Sequence, residues 1–169
     1  MSNFLINSYT SSATATCSQT ATDETQTLGQ SAGAGRLAVG NRCITGYACI
    51  GETIGSVIFN LKWSGSGTSS NTIYCRVFDS SNVLKVTMGS ITLGNVPTTI
   101  GNVTFDSPDG SYDLAVNDRI VIEYDYSGSD LSYSKENSSV TGLDLAIISD
   151  GGTTYEYVTT ACAYMILSA

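Results

Sequence analysis

Hydrophobic and polar residues alternate along much of this chain. In Ser56-Val-Ile-Phe-Asn-Leu-Lys-Trp63, Val57, Phe59, Leu61 and Trp63 share one face, while Ser56, Asn60 and Lys62 fall on the other. Ile120, Ile122, Tyr124 and Tyr126 alternate in the same way with Glu123 and Asp125. Period-2 alternation places one face of a strand on a core and the other in water. It predicts strands over 36–39, 54–63, 71–78, 83–93, 99–105, 119–126, 142–149, 154–158 and 161–168. Phe59, Leu61, Ile73, Val77, Ile120 and Ile122 are the expected core. No segment has a convincing helical period, and Val83–Ile91 has room for one turn at most.

Turn residues punctuate these strands. Ser64-Gly-Ser-Gly-Thr-Ser-Ser70 reads as a hairpin loop, Asp79-Ser-Ser-Asn82 as a turn, and Pro108-Asp109-Gly110 as a turn within the long connection 106–118. Asn41 to Gly51 and Tyr126 to Asn137 read as connections. Nine or so strands in a 169-residue chain predict an all-β domain over 36–169, a two-sheet antiparallel sandwich of jelly-roll type. A closed up-and-down barrel is the alternative. Residues 1–35 read as an N-terminal arm or edge strand. Phe4, Leu5 and Ile6 are its apolar anchor, and Ala13-Thr-Ala-Thr16 suits addition to an open sheet edge, preferably a neighbouring subunit's.

Charge changes the functional picture. Residues 1–105 carry four acids and five bases, and residues 106–169 carry eleven acids and two bases. An acidic half with no basic patch argues against a nucleic-acid partner. It suits a cation or a neutral partner such as a glycan. There is no His, which removes the usual general base and the usual zinc ligand. None of the five Cys forms a C-x-x-C pair, which argues against structural zinc. Cys75 and Cys162 fall in strand-like segments and read as small buried apolar residues. Cys43 and Cys49 have the spacing to close a disulfide if the chain turns at Gly46, and one of the five thiols stays unpaired in a monomer. No stretch approaches the ~20 apolar residues of a membrane helix. The first residues lack a basic n-region and a long apolar run, so a Sec leader is not expected. A virion or extracellular location without such a leader follows, as for particle proteins released at lysis.

Several segments together carry a resemblance. They are Ile54–Lys62, Ile73–Asp79, Ile91-Thr-Leu93, Val103-Thr-Phe105 and Tyr112–Tyr124. Over roughly residues 50–169 the chain resembles the jelly-roll modules of bacteriophage and archaeal structural proteins and of microbial surface proteins. Those modules are similar to carbohydrate-binding-module or galactose-binding-like folds. The resemblance implies a non-enzymatic role in assembly, decoration or glycan attachment, and it gives the first 50 residues none.

Three chemistries are then open. Asp106, Asp109, Asp113 and Asp118 lie in one connection and would supply oxygens for calcium, with Asp150-Gly-Gly152 a second oxygen-rich turn. Tyr126, Tyr133, Tyr155 and Tyr157 are the candidates for stacking on a sugar, Tyr155 and Tyr157 sharing a face with Glu156 opposite. Trp63 is assigned to the core. Glu123 and Asp125 are the nearest approach to a glycosidase pair, which needs two carboxylates about 5–10 Å apart in a cleft, but they fall on the expected solvent face. The expected function is an assembly subunit of a virion (decoration, tail or fibre component) or an extracellular filament, self-associating or joined to other particle subunits. A glycan-binding module is the alternative, and a carboxylate-dependent glycan-cleaving enzyme ranks last.

Overall fold

The structure, a computed structural model, describes residues 25–28, 37–63, 69–106, 111–124, 131–136, 141–148 and 154–168. Fourteen strands run through them: β1 (Thr25–Leu28), β2 (Leu37–Cys43), β3 (Thr53–Ile54), β4 (Ser56–Trp63), β5 (Thr72–Phe78), β6 (Leu84–Thr92), β7 (Gly101–Asp106), β8 (Tyr112–Asp113), β9 (Arg119–Tyr124), β10 (Leu131–Glu136), β11 (Leu143–Ile148), β12 (Glu156–Val158), β13 (Cys162–Ala163) and β14 (Met165–Ser168). A single 3-10 turn at Leu93–Asn95 is the only helical element among the described residues. The all-β expectation holds.

Among the described residues every strand pair is antiparallel, and two sheets face each other. In the first sheet β4 is central. β7 pairs with one of its edges, and β14 followed by β10 pairs with the other. β1 adds to the free side of β10. Thr25–Leu28, within the expected arm, therefore closes its own chain's sheet. Phe4, Leu5, Ile6 and the 13–16 segment lie outside the described residues. The second sheet has the order β12-β11-β2-β9-β5-β6. β3 and β8 form a separate two-stranded ribbon.

The core lies between the sheets. Phe59, Leu61, Ile73, Val77, Ile120 and Ile122 are all buried in it, as the alternation requires. Trp63 packs against its rim. The β5–β6 turn is locked by Asp79, whose carboxylate accepts N–H bonds from Ser81 and Val83 at 2.9 and 3.0 Å. These bonds hold the Asp79 carboxyl below the usual carboxylate range. Gly142 has φ +85°, and a Cβ there would lie 2.2 Å from the Tyr47 backbone nitrogen. That close approach sets the 44–47 turn against the start of β11, with the Ile44 N–H bonding the Gly142 carbonyl at 2.7 Å.

The structure corrects the sequence expectation in four places. Tyr126 to Asn137 is not all connection: Leu131–Glu136 is β10, paired with β1, β4 and β13. Its serines mislead, because Ser132 and Ser134 are buried. Ser134 donates to the Asn60 side chain at 2.6 Å. β2 likewise runs on to Cys43 through Asn41, which reads locally as a turn residue. Cys43 and Cys49 are both free thiols, so they do not pair, whereas Cys162 is disulfide-bonded to a partner outside the described residues. Finally, Glu123 does not face solvent; it is 7% exposed. Along β2, β9 and β11 the second sheet is buried on both faces. Ala38, Phe78, Val121, Ala146, Ile148 and Tyr155 form a second apolar cluster on the side away from the core.

Burial also sets an alkaline limit. It pushes Tyr133 up to about 12 from its ordinary 10.0. Tyr112 rises to about 12 through burial and the bond it donates to Asp118, whose charge opposes a phenolate. Burial pushes the Cys43 and Cys75 thiols up from 9.0 as well. The unfolded chain therefore sheds these protons first. The contribution of these groups is intact below about pH 9 and is lost as pH rises toward about 12. The urea midpoint should fall between about pH 9 and pH 11, and less steeply in Tyr133→Phe; equal slopes in both proteins would contradict this.

Candidate functional site

The second sheet's far face concentrates charge. In its three strand rows, Arg42 on β2 lies opposite Arg119 on β9 and Asp144 on β11. Gly40 lies opposite Val121 and Ala146, and Ala146 faces Tyr157 on β12. Ala38 lies opposite Glu123 and Ile148, and Glu123 faces Tyr74 on β5. The floor is small by necessity as well as composition. A Cβ on Gly40 would lie 2.0 Å from the Ile120 carbonyl oxygen. Ala38 and Ala146 leave room above them for two rings. Tyr155 packs into the cluster, with Tyr157 against it.

Those rings stack, with centroids 6.4 Å apart and planes 17° apart. Each lies under a guanidinium: Arg42 is 3.8 Å from the Tyr157 centroid and Arg119 is 4.6 Å from that of Tyr155. Phe78 completes the aromatic run, 6.5 Å from Tyr155. Across the sheet, Arg76 stands 4.3 Å from the Tyr74 centroid. Cation–π contacts of this kind gain strength when desolvated.

The ion pairs are specific. Arg42 donates from Nε to Asp144 at 3.1 Å and from Nη2 to the same oxygen. Arg76 donates to Glu123 at 2.9 Å. Among the described residues Arg119 has no carboxylate as a hydrogen-bond partner; its Nη1 donates to the Tyr157 hydroxyl at 2.9 Å. The Asp79 charge reaches it only through space. These partly buried pairs add little net stability, because desolvation offsets attraction. Their value here is geometric: they hold two tyrosines flat against a sheet.

The expected sites divide accordingly. Tyr155 and Tyr157 do come together, on one face with Glu156 exposed opposite. Tyr133 sits in the main core, away from them. Tyr126 and Asp109 lie outside the described residues. Of the calcium candidates, Asp106 ends β7 in solvent, and Asp113 is exposed and accepts a bond from the Thr53 hydroxyl. Asp118 is buried and accepts the Ala115 N–H at 2.8 Å. Among the described residues no three acids gather into a group that would hold a metal. Glu123 is committed to Arg76, and Asp125 lies outside the described residues.

Arg42, Arg76, Arg119 and Asp144 were not visible as site residues in the local pattern. A signal existed. Arg76 and Arg119 fall inside the predicted strands 71–78 and 119–126 rather than in turns, which is uncommon for solvated charge. Comparison with known proteins returned no match: no family model, no curated protein and no solved structure matches the chain. Among the described residues no helix is long and apolar enough to cross a membrane.

Proposed function

We propose that the chain is a non-enzymatic assembly subunit of a virion or an extracellular filament, with a sandwich of the jelly-roll kind, and that its copies meet through one end of the second sheet. The carrying observation is the placement of exposed apolar side chains. Leu84 lies opposite Phe78, which lies opposite Arg119, in the row that runs on to Arg42 and Asp144. Val83 is in the adjoining turn and Val116 in the loop entering β9. Val158 lies opposite Leu145, one residue from that row. These four are 54%, 45%, 42% and 38% exposed for Val83, Leu84, Val116 and Val158. Among the described residues only Ile100 is a fifth large apolar side chain this exposed. Single exposed apolar residues are ordinary, but their concentration at one end suits a contact surface.

Glycan attachment draws less support. Tyr133 is in the core, Tyr155 is 6% exposed, and both Tyr155 and Tyr157 already carry a guanidinium over the ring. A sugar needs an open aromatic face.

Light scattering on the eluting wild-type protein should give an oligomer at micromolar concentration. Val83→Asp combined with Leu84→Asp should give a monomer with an unchanged β-type circular dichroism spectrum, since both side chains are about half exposed and neither belongs to the core. A wild-type protein that elutes as a monomer sinks the proposal.

A further inference from the structure

We propose that the Nε–H and Nη2–H groups of Arg119 together bind the carboxylate of a small molecule at the far face of the second sheet. This does not depend on the assembly reading.

Arg119 is 3% exposed. Its Nη1 is used by Tyr157, but Nε and Nη2 are buried and make no hydrogen bond. These two nitrogens lie on the same side of the guanidinium plane's edge, and their N–H bonds run parallel. That is the edge a carboxylate grips with both oxygens. Leaving two donors of a charged group unsatisfied in the interior is costly, so such groups in a native fold point to a missing partner.

The surrounding charge has the matching sign. Arg42 is paired with Asp144 and Arg76 with Glu123. Arg119 is the third cation on this face and has no acid within ion-pair reach among the described residues. Asp79, whose carboxylate feels the Arg119 charge, is engaged by the Ser81 and Val83 N–H groups and stands 3.8 Å from Lys85. One added negative charge would balance the cluster. The Tyr155 ring, 4.6 Å from the guanidinium, holds the plane of the fork before any ligand arrives.

Entry requires β12 to lift. Among the described residues it is a three-residue edge strand, paired only to β11. Such strands are where local opening is least costly. Tyr157, the half-buried member of the stack, rides on it.

The test titrates the whole protein with acetate, glucuronate and glucose, following the arginine Nε–H signals by NMR. Arg36→Lys, Arg42→Lys and Arg76→Lys assign the Arg119 signal by elimination. Acetate and glucuronate should each shift that signal and raise the unfolding temperature, and glucose should do neither. Equal affinity for the two acids identifies a bare carboxylate as the ligand, and tighter glucuronate binding identifies a sugar acid; both support the site. Arg119→Lys keeps the charge but lacks the fork, and should weaken binding about tenfold or more. An Arg119 signal unmoved by saturating carboxylate means that an ordered water satisfies the fork, and overturns the proposal. So does undiminished binding by Arg119→Lys. If that variant does not fold, the wild-type NMR titration decides alone.

Discussion

Phe59→Ala should cost about 3–5 kcal/mol, the usual toll of emptying a buried phenylalanine site. Phe59 is at the middle of β4, the central strand of the first sheet, with Val103 on β7 opposite one edge and Met165 on β14 opposite the other. Its ring meets Phe105 edge-on, with centroids 6.4 Å apart and planes 77° apart. Three strands fix the walls of the site, so the space left by alanine cannot collapse cheaply. The aromatic contact, about 0.5–1.5 kcal/mol, is lost as well. Against a total stability of roughly 5–15 kcal/mol, the variant would lower the melting temperature by roughly 10 °C. Urea unfolding of Phe59→Ala and Phe59→Leu measures it, with leucine losing less because it keeps most of the volume. A loss below about 1 kcal/mol in the alanine variant would mean that the first sheet closes over the gap, against the packing described here.

The inward rows of β4, β5 and β9 were legible because alternation is a local signal and each row faces one large core. The second buried face was not. Arg42, Arg76, Arg119, Glu123 and Asp144 occupy alternate positions that read as solvent, and only tertiary pairing turns them inward. Arg76 meets Glu123 from 47 residues away and Arg42 meets Asp144 from 102, distances over which no periodicity argument reaches. The kinship of Tyr155 and Tyr157 was legible, as i and i+2 on one strand. Their role was not, since the guanidiniums over them come from β2 and β9. β10 and the end of β2 were hidden for a related reason. Ser132, Ser134 and Asn41 are polar residues in interior positions, and each reads as a connection until its partner across the fold is known.

Asn41 gives that last point a measurable form. Its side chain is fully buried on the inward row of β2 between Val39 and Cys43. The amide nitrogen donates to the Ala163 carbonyl at 2.9 Å, and the amide oxygen accepts the Ala163 N–H at 2.8 Å. Ala163 belongs to β13, which pairs with β10 of the first sheet. The Asn41 side chain therefore acts as one peptide group of an absent strand and ties the two sheets through the core. Asn41→Ala removes both bonds from a buried backbone, and should cost about 2–4 kcal/mol. Asn41→Asp separates hydrogen bonding from size. At neutral pH its carboxylate would face the Ala163 carbonyl with no proton to donate, in an interior that penalises charge, so it should be less stable than Asn41→Ala. Burial and the carbonyl both favour the protonated acid, which raises its folded-state pKa above the ordinary ~3.9. The bond it regains is then present at low pH and is lost as pH rises through that raised value. Relative to Asn41→Ala, the aspartate variant should gain stability between about pH 7 and pH 4. Parallel pH profiles for the two variants would show that the Asn41 amide makes no energetically significant bond to Ala163.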